Sequence, residues 1–278
     1  MQEIFSENKF KKILDYLGIK KKDKLLVNSN TLNLMIKHKD KALPNKILDI
    51  LIERITPEGT LLFPTYSWDF CNGSRYDSLK TRSTAGTLSN LSLKNKNFVR
   101  SKNPIYSFSV FGKDKNKIAN LSHYSCFGLD SPFGYLIKNK GKNLFIDLDY
   151  KDALTFVHVA EESAGVNYRY HKIFTGKYTN KNRIKKIENF EMYVRKKDKA
   201  SATFIDKKFD NKLLKKKALK KIKNNNSIFS VVDVQTAYNL MHEDIKHNKG
   251  LIRPILWENR DIYINICNKK VDRSLNEQ

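Results

Sequence analysis

The sequence predicts an α/β fold, and two observations support that prediction. Short apolar runs typical of buried strands alternate with amphipathic helical patterns, in strand–helix–strand order near the N-terminus. The chain has 278 residues, of which 40% are hydrophobic, so it can bury a substantial core in one large domain or two small ones. We find no internal repeat that would indicate a solenoid or a propeller.

The first half of the chain contains the clearest elements. Residues 7–17 carry apolar side chains at helical spacing, and Gly18 follows as a C-terminal cap. Strands are predicted at 24–28 and 60–63, on either side of a helix that Pro44 opens. Further elements are predicted in the order helix 84–95, strand 105–111, helix 133–138 and strand 143–147. Between Thr65 and Thr84 the sequence is irregular and aromatic, which favours either a surface flap or a wall of an acceptor site.

The second half is less periodic. Charged sequence runs from about 175 to 208, with one alternating stretch at 190–194. The predicted elements after it are a basic amphipathic helix at 209–222, a strand at 227–232, a helix at 234–245, a strand at 262–266 and a disordered tail at 272–278. We therefore expect a single domain over residues 1–278, in which 176–278 form a more divergent C-terminal elaboration.

The formal net charge is +24, and the distribution of the charged residues along the chain bears on which partners the protein binds. Lysines are spread along the whole chain, which favours solvated surface positions. An alternative is a field that attracts anionic small molecules such as coenzymes. Nucleic-acid binding is a third possibility, but no zinc finger, helix-turn-helix or strand with interleaved aromatic and basic residues supports it, so we expect no nucleic-acid partner.

The sequence also bears on location. No apolar run approaches the roughly 20 residues that a membrane span needs, so we expect no membrane insertion. The N-terminus lacks the basic-then-apolar order of a signal peptide. The cysteines, Cys71, Cys126 and Cys267, are odd in number and scattered, without metal-ligand spacing or a disulfide framework. These features predict a cytoplasmic protein.

The best candidate for a catalytic base lies in the stretch Asp152-Ala-Leu-Thr-Phe-Val-His158-Val-Ala-Glu161-Glu162. On a helix, His158 shares one face with residues three and four positions later. A carboxylate bonded to one ring nitrogen fixes the tautomer and raises the basicity of the other nitrogen. Two alternatives stay open from this pattern: a structural pair of histidine and acid, and Asp152 acting only as a helix cap.

Other chemistries lack their sequence signals. His158 with Glu161 or Glu162 gives at most two metal ligands, without H-E-x-x-H or a second histidine cluster, so no metal is expected. There is no G-x-S-x-G elbow for a serine nucleophile. Neither a P-loop nor G-x-G-x-x-G occurs. The residues alone therefore indicate an α/β enzyme with a candidate histidine base.

Four short segments together resemble the aminoglycoside 3-N-acetyltransferase family. They are Pro57-Glu-Gly-Thr-Leu-Leu-Phe-Pro64, Val99-Arg-Ser-Lys-Asn-Pro104 followed by Ser107 and Gly112, Phe127-Gly-Leu-Asp-Ser-Pro132, and the match of Asp152, Thr155, His158 and Glu161 to D-x-x-T-x-x-H-x-x-E. Order and spacing agree over about residues 24–170. The resemblance implies a mixed central β-sheet flanked by helices, the antibiotic N-acetyltransferase fold, which differs from the GNAT fold and from the left-handed β-helix.

The resemblance also implies the reaction, which is acetyl transfer from acetyl-CoA to an amine. His158 would take the amine proton, with Asp152 or Glu161 orienting the ring. The Ser29–Thr31 loop or Ser107 would stabilise the negative charge on the thioester carbonyl. The residues implied to bind acetyl-CoA are Asn28, Ser29, Asn30, Thr31, Ser107 and Ser131.

Two positions depart from the family pattern. The family usually has His-Ser-Ser-Leu where this chain has Asn28-Ser-Asn-Thr31, the loop similar to one that holds the pantetheine arm. It usually has His-Pro where this chain has Asn103-Pro104. Asparagine can keep hydrogen bonds but cannot transfer protons. A non-catalytic member that binds CoA or a partner is therefore one alternative function.

The acceptor amine is predicted from charge. Aminoglycosides are polycations, which a protein of +24 would repel at long range, whereas a nucleotide-linked amino sugar carries an attracted pyrophosphate. We therefore expect N-acetylation of a nucleotide-linked amino sugar for a surface polysaccharide such as lipopolysaccharide O-antigen. The alternative within the same reaction is acetylation of an aminoglycoside antibiotic. The sequence leaves the oligomeric state open.

Overall fold

The computed structural model describes residues 6–196, 205, 207–224 and 226–247, and these residues form nine helices and ten strands. The helices are α1 (Glu7–Leu17), α2 (Thr31–His38), α3 (Leu43–Ile55), α4 (Thr87–Lys94), α5 (Lys115–Ala119), α6 (Pro132–Lys138), α7 (Phe156–Ala164), α8 (Lys207–Lys215) and α9 (Val234–His247). The strands are β1 (Lys24–Ser29), β2 (Thr60–Pro64), β3 (Tyr76–Asp77), β4 (Val99–Arg100), β5 (Phe108–Gly112), β6 (Lys142–Ile146), β7 (Arg169–Thr179), β8 (Lys185–Arg195), β9 (Leu219–Asn224) and β10 (Ser227–Asp233).

A seven-stranded mixed sheet lies at the centre, in the order β4-β5-β2-β1-β6-β10-β9. Its middle strands β2, β1 and β6 are parallel, and the strands on either side, β5 and β10, run antiparallel to them. The carboxyl ends of three parallel strands therefore meet at one edge of the sheet, which is where open α/β sheets bind ligands.

Both faces of this sheet are covered, because successive residues of its central strands point to opposite sides. In β1, Leu26 belongs to one buried cluster, which includes side chains of α6, α7 and α9. Leu25 and Val27 belong to a second cluster, which includes side chains of α1 and α3. The near-continuous apolar runs in the sequence follow from this burial on both faces.

A smaller sheet, in the order β3-β7-β8, packs on the α7 side. Strands β7 and β8 form an antiparallel hairpin paired from Arg169–Arg195 to Thr179–Lys185. This region was predicted only as charged, weakly periodic sequence with one alternating stretch. Since buried positions such as Phe174 and Tyr178 alternate with exposed polar ones, the pattern was present but diluted by lysine.

Most predicted elements are confirmed, including the helix over 7–17 that ends at Gly18 with φ of +74°. The predicted helix at 209–222 is wrong in its second half. Helix α8 ends at Lys215, Lys217 has a positive φ of 55°, and Leu219 begins β9 opposite Val232. Apolar spacing in this stretch suited a helix, but pairing with β10 determines its structure.

Two further differences concern the ends of the predicted elements. The segment after β1, predicted as a loop, forms helix α2, whose Asn30 side chain accepts a hydrogen bond from the Asn33 amide. The described part of the range 176–278 supplies β9, β10 and α9, and β10 pairs directly with β6 in the central sheet. The predicted strand at 262–266 and tail at 272–278 lie outside the described residues.

Across the described residues, no helix combines the length and hydrophobicity that a membrane span requires.

Candidate active site

A cavity of about 510 Å³ opens at the carboxyl ends of the parallel strands. Asn28 and Ser29 end β1, Tyr66 follows β2, and Asp152 and His158 come from the segment after β6. The sheet thus brings together residues more than a hundred positions apart. The cavity is lined by Asn28, Ser29, Tyr66, Trp68, Ala85, Tyr106, Leu148, Lys151, Asp152, Ala153, Leu154, Thr155, Val157, His158, Arg169, Arg195 and Ile205.

His158 lies in the first turn of α7, and its ring is held by Glu161. Nδ1 of His158 lies 2.8 Å from Oε2 of Glu161, three residues later on the same helix face. An ionised carboxylate only accepts hydrogen bonds, so this contact requires the proton on Nδ1. Nε2 is then left with its lone pair as the basic nitrogen. The predicted pairing of His158 with Glu161 is confirmed as a contact.

Glu161 is fully buried and ionised by its neighbours. Arg169 places Nε 2.7 Å from Oε2 of Glu161, and the Tyr168 hydroxyl donates to Oε1 over 3.1 Å. Burial by itself would raise the pKa of Glu161, but Arg169, His158 and Tyr168 outweigh burial and hold that pKa below its ordinary value. An ionised Glu161 can stabilise an imidazolium at His158 when the ring takes a proton.

Arg169 also approaches the ring directly. Its Nη2 lies 3.1 Å from Nδ1 of His158, and its Nη1 donates to the Tyr193 carbonyl over 3.0 Å. With Nδ1 already protonated toward Glu161, Nη2 of Arg169 faces another donor, so this approach is not a second hydrogen bond and Glu161 is the partner that holds the ring. The other side of the ring packs on Phe127, with centroids 5.1 Å apart. These contacts fix the orientation of the imidazole.

Asp152 does not bind the imidazole, which corrects one of its two predicted roles. It ends a short 3₁₀ turn at Tyr150–Asp152 and lines the cavity, while the ring is held by Glu161. Nor does Asp152 cap α7, because Thr155 occupies the N-cap position. Burial, followed by the nearby charge of Asp149, raises the pKa of Asp152. Asp152 is thus a residue of the cavity lining and not a partner of the base.

The first predicted CoA-binding loop is only partly in the cavity. Asn28 and Ser29 line it, and the Asn28 amide donates to Oδ1 of Asn143 over 2.8 Å. Asn30 instead caps α2 with its side chain, and Thr31 is buried in the first turn of that helix. Of the four residues predicted to bind CoA in this segment, Asn28 and Ser29 therefore line the cavity. Asn30 and Thr31 instead form the start of α2.

Ser107 and Ser131 do not reach the cavity, which corrects their predicted role in binding acetyl-CoA. The Ser107 hydroxyl donates to the Thr65 carbonyl over 2.6 Å and accepts from Nε of Arg100 over 3.1 Å. The Ser131 hydroxyl accepts from the Gly134 amide and caps α6. Both side chains are fully buried and serve the fold. The Ser107 hydroxyl is thus bonded within the fold and absent from the cavity lining, which does not support its predicted contact with a thioester carbonyl.

Asn103, the second departure from the family pattern, also has a structural role. Its Oδ1 accepts from the amides of Ile105 and Tyr106 over 3.0 and 3.4 Å. The residue is fully buried and shapes the turn that leads to Tyr106, which lines the cavity. Proton transfer is not needed for this role, but Nδ2 of Asn103 is buried without a hydrogen-bond partner among the described residues.

The irregular segment between Thr65 and Thr84, here named the aromatic loop, forms one wall of the cavity. The Tyr66 ring packs on Tyr106 at a tilt of 52° with centroids 4.4 Å apart, and it stacks on Trp68 with centroids 6.1 Å apart. The predicted alternative of an acceptor wall, rather than a detached flap, fits this position in the cavity.

The aromatic loop is fixed by Arg100. The Arg100 guanidinium donates to the carbonyls of Thr65 and Thr81, and to the Ser67 hydroxyl over 3.0 Å. These contacts tie both ends of the loop to the central sheet.

Comparison with known proteins identifies the family. The sequence pattern of the family described as aminoglycoside 3-N-acetyltransferase matches residues 36–245, well over half of the chain. The chain belongs to this family. Its members are acetyl-CoA-dependent N-acetyltransferases, so acetyl-CoA is the co-substrate that the membership implies. The match continues well beyond residue 175, where the resemblance of short motifs fades.

One curated relative is the SPbeta prophage-derived aminoglycoside N(3')-acetyltransferase-like protein YokD of Bacillus subtilis (strain 168). It is 32% identical over 139 residues, which cover 41% of this chain. The alignment spans 50% of that relative's length. This similarity supports membership of the family. It does not identify the amine that this chain acetylates.

Solved structures of family members confirm the fold, a mixed central sheet flanked by helices. The crystal structure of YokD has a TM-score of 0.71 at 19% identity, covering 90% of this chain and 97% of that one. AAC-IIIb with CoASH has a TM-score of 0.72 at 15% identity, with 91% and 100% covered. AAC-VIa bound to sisomicin has a TM-score of 0.72 at 16% identity, with 88% and 99% covered.

Two site residues of this family member were not predicted from sequence. Arg169 lies 11 residues after His158 and is the first residue of β7, not part of α7. It reaches His158 because the chain turns at Gly165, after the end of α7. Tyr66 was noted only as one aromatic of the loop, although its place just after β2 puts it at the ligand-binding edge of the sheet. Within the described part of the chain, no group of three or more His, Cys, Asp or Glu residues could hold a metal ion.

Proposed function

We propose that this chain transfers the acetyl group of acetyl-CoA to a primary amine of an aminoglycoside, with His158 as the general base. The observation that supports this most strongly is the buried Glu161, which fixes the Nδ1 proton of His158 and leaves Nε2 basic at the cavity. Family membership supports the acetyl donor, and the relatives' names support the acceptor class.

The proposed mechanism needs no covalent acetyl-enzyme. The amine reaches the site largely protonated, and the ammonium group first loses one proton to solvent so that its neutral form can attack the thioester carbonyl. As the bond from nitrogen to the carbonyl carbon forms, His158 accepts a second proton from that nitrogen at Nε2, and the negative charge of Glu161 stabilises the resulting imidazolium. The imidazolium then returns the proton to the departing thiolate, which leaves as the free thiol. Asp152, at the cavity, is placed to attract the incoming ammonium group.

A second acceptor class has one observation in its favour. Among the lining residues Asp152 is the sole acid, whereas Lys151, Arg169 and Arg195 are cationic. Glu161 neutralises Arg169, which leaves a lining that would also suit an acceptor with a phosphate, such as a nucleotide-linked amino sugar. The family findings favour the aminoglycoside.

Thiol release from acetyl-CoA, measured against a panel of aminoglycosides and nucleotide-linked amino sugars, tests both acceptors. We expect His158→Gln to lower kcat by about 10²–10⁴-fold, because it removes the base and preserves the size of the side chain. His171→Gln is the matched control, since His171 also pairs with a glutamate, at 2.7 Å from Glu191, but does not line the cavity. Near-normal turnover by His158→Gln contradicts the assignment, and failure of every acceptor favours a non-catalytic member.

A further inference from the structure

Among the hydroxyl groups predicted to stabilise the negative charge on the thioester carbonyl, Ser29 alone lines the cavity. Ser107 and Ser131 are committed to the fold, and the Asn30 side chain caps α2. Acyl transfer is accelerated by donors that are already oriented toward the developing oxyanion. A donor in the cavity that has no partner inside the protein is therefore the group to find.

Trp68 meets this description through its indole N–H, and the more deeply buried Tyr66 meets it through its hydroxyl. Tyr66 is 7% exposed and lines the cavity, and its hydroxyl has no hydrogen-bond partner among the described residues. Thr155, at the start of α7, is a polar neighbour of that hydroxyl, but no atom of the described protein completes a hydrogen bond with it. Leaving a buried donor unpaired costs free energy, which a bound acceptor atom would recover.

The position of the Tyr66 ring is fixed before any ligand binds. The ring packs on Tyr106 and meets Phe108 edge-on, with centroids 4.4 and 5.9 Å apart. The Tyr66 carbonyl accepts a hydrogen bond from the Thr84 amide over 3.0 Å. Arg100 holds the residues on both sides of Tyr66. The ring that carries the Tyr66 hydroxyl therefore has a fixed position before a ligand binds.

The same packing relates Tyr66 to the base. Tyr106 packs on Phe127 with centroids 4.7 Å apart, and Phe127 packs on the His158 ring at 5.1 Å. Two aromatic rings therefore separate the phenol from the imidazole, and both groups line one cavity with Asn28 and Ser29. A thioester placed between the β1 loop and the base would present its carbonyl to this region.

We propose that the Tyr66 hydroxyl donates a hydrogen bond to the acetyl carbonyl oxygen of acetyl-CoA and stabilises the oxyanion during transfer. This inference rests on the proposed function. The amine nitrogen bonds to the carbonyl carbon, and the C=O π electrons move to the oxygen that Tyr66 faces. His158 takes the amine proton, the C–S bond then breaks as the C=O bond re-forms, and His158 returns the proton to sulfur.

The phenol is suited to this role because it stays protonated. Burial raises the pKa of Tyr66 above its ordinary value, so the hydroxyl remains a donor at neutral pH. The hydrogen bond should form to the ground-state carbonyl and become stronger to the oxyanion, which is the condition for a gain in kcat.

The kinetic test compares Tyr66→Phe with Tyr76→Phe. Tyr76 belongs to the same loop, and its hydroxyl is equally buried without a partner among the described residues, but it does not line the cavity. We expect Tyr66→Phe to lower kcat by about 10²-fold with little change in either KM, and Tyr76→Phe to turn over normally. Unchanged kcat in Tyr66→Phe, or a higher acceptor KM at normal kcat, overturns the proposal.

A second readout needs no acceptor and no turnover. The infrared carbonyl stretch of acetyl-CoA, labelled with ¹³C at the acetyl carbonyl, is recorded bound to the wild type and to both variants. Loss of the Tyr66 hydrogen bond should move the band to higher wavenumber in Tyr66→Phe only, and identical bands overturn the proposal. If the wild type releases no thiol with any acceptor, the proposed function fails, while the infrared comparison still decides the role of Tyr66. Thermal unfolding of the two variants checks that both are folded.

Discussion

Glu161 links the stability of this protein to its proposed chemistry, because it is a fully buried carboxylate in contact with both Arg169 and His158. A buried charge is tolerated only when its partners replace the lost water. Arg169 and Tyr168 supply those partners from outside α7. The orientation of the base therefore depends on contacts between α7 and the start of β7.

Glu161→Gln is expected to destabilise the protein by about 3–5 kcal/mol at neutral pH, because the change leaves the Arg169 guanidinium buried without its carboxylate. Urea unfolding of the wild type and the variant measures the difference. Glu53→Gln serves as the control, since Glu53 pairs with Lys11 on the exposed surface. A loss of stability no greater than that of the control would show that Arg169 finds another partner.

The pH dependence of that difference follows from the lowered pKa of Glu161. Its folded-state pKa lies below the ordinary value of 4.5, so its stabilising contribution is complete above pH 4.5 and is lost as the pH falls through the folded-state pKa. The gap in unfolding free energy between wild type and Glu161→Gln should therefore be constant near neutrality and shrink in acid. A gap that widens in acid contradicts this sign.

Sequence spacing alone predicted the contact of His158 with Glu161, because both residues lie on one helix and i,i+3 geometry is local. The same reasoning failed for Asp152, which ends a short 3₁₀ turn before α7, while the imidazole is bound by Glu161 instead. Arg169 could not be predicted, because its contact depends on how β7 packs against α7. Local geometry was readable from sequence, and contacts between elements were not.

At the scale of the element, the aromatic loop shows how an irregular segment becomes a rigid wall. Arg100 reaches both of its ends, and backbone hydrogen bonds and the pairing of β3 with β7 hold the segment as well. The guanidinium also lies over the Tyr76 ring, 4.9 Å from its centroid. One side chain of the neighbouring strand β4 therefore contacts the loop at its start, its middle and its end.

Arg100→Met is expected to loosen the aromatic loop while preserving much of the packing of the side chain. Trypsin should then cut at the exposed Lys80 and Arg82 faster than in the wild type, because cleavage requires the loop to open. The acceptor KM should rise as Tyr66 and Trp68 lose their fixed positions. Arg183→Gln is the control, since Arg183 contacts Asp77 of the same loop from the exposed surface. Equal cleavage rates for the two variants would refute the anchoring role.

Elements were predictable where one periodicity dominated, as in α1, α9 and the buried central strands. The β7–β8 hairpin was missed because its exposed face is rich in lysine and its buried positions are few. Helix α8 and strand β9 merged into one predicted helix because their apolar residues share a helical spacing. In both cases pairing between strands, which is a long-range interaction, determined the structure.

At the scale of the whole molecule, the net charge of +24 acts on any charged acceptor before it reaches the cavity. The field is screened by salt, since the Debye length falls from about 30 Å at 0.01 M to about 8 Å at 0.15 M. The sign of the salt dependence therefore reports the charge of the acceptor relative to the field along its path.

We expect kcat/KM for an aminoglycoside to rise severalfold between about 0.01 and 0.15 M salt, because screening weakens the long-range repulsion of a polycation. A nucleotide-linked amino sugar, if it is accepted, should show the opposite trend. Thiol release at constant pH measures both, with a monocationic amino sugar as the weakly responding control. A fall in kcat/KM for the aminoglycoside would show that acids near the cavity, such as Asp152, dominate over the global charge.

The anchoring of the aromatic loop has a consequence for how such an enzyme can diversify. Arg100 holds the loop largely through the carbonyls of Thr65 and Thr81, and a carbonyl is present whatever residue occupies the position. The side chains between these two points can therefore be exchanged by mutation without loosening the attachment. Variation in this segment at positions other than Tyr66, which we propose for acetyl transfer, would alter which amine is accepted while leaving His158, Glu161 and Arg169 untouched. Acceptor choice can therefore evolve largely apart from acetyl transfer.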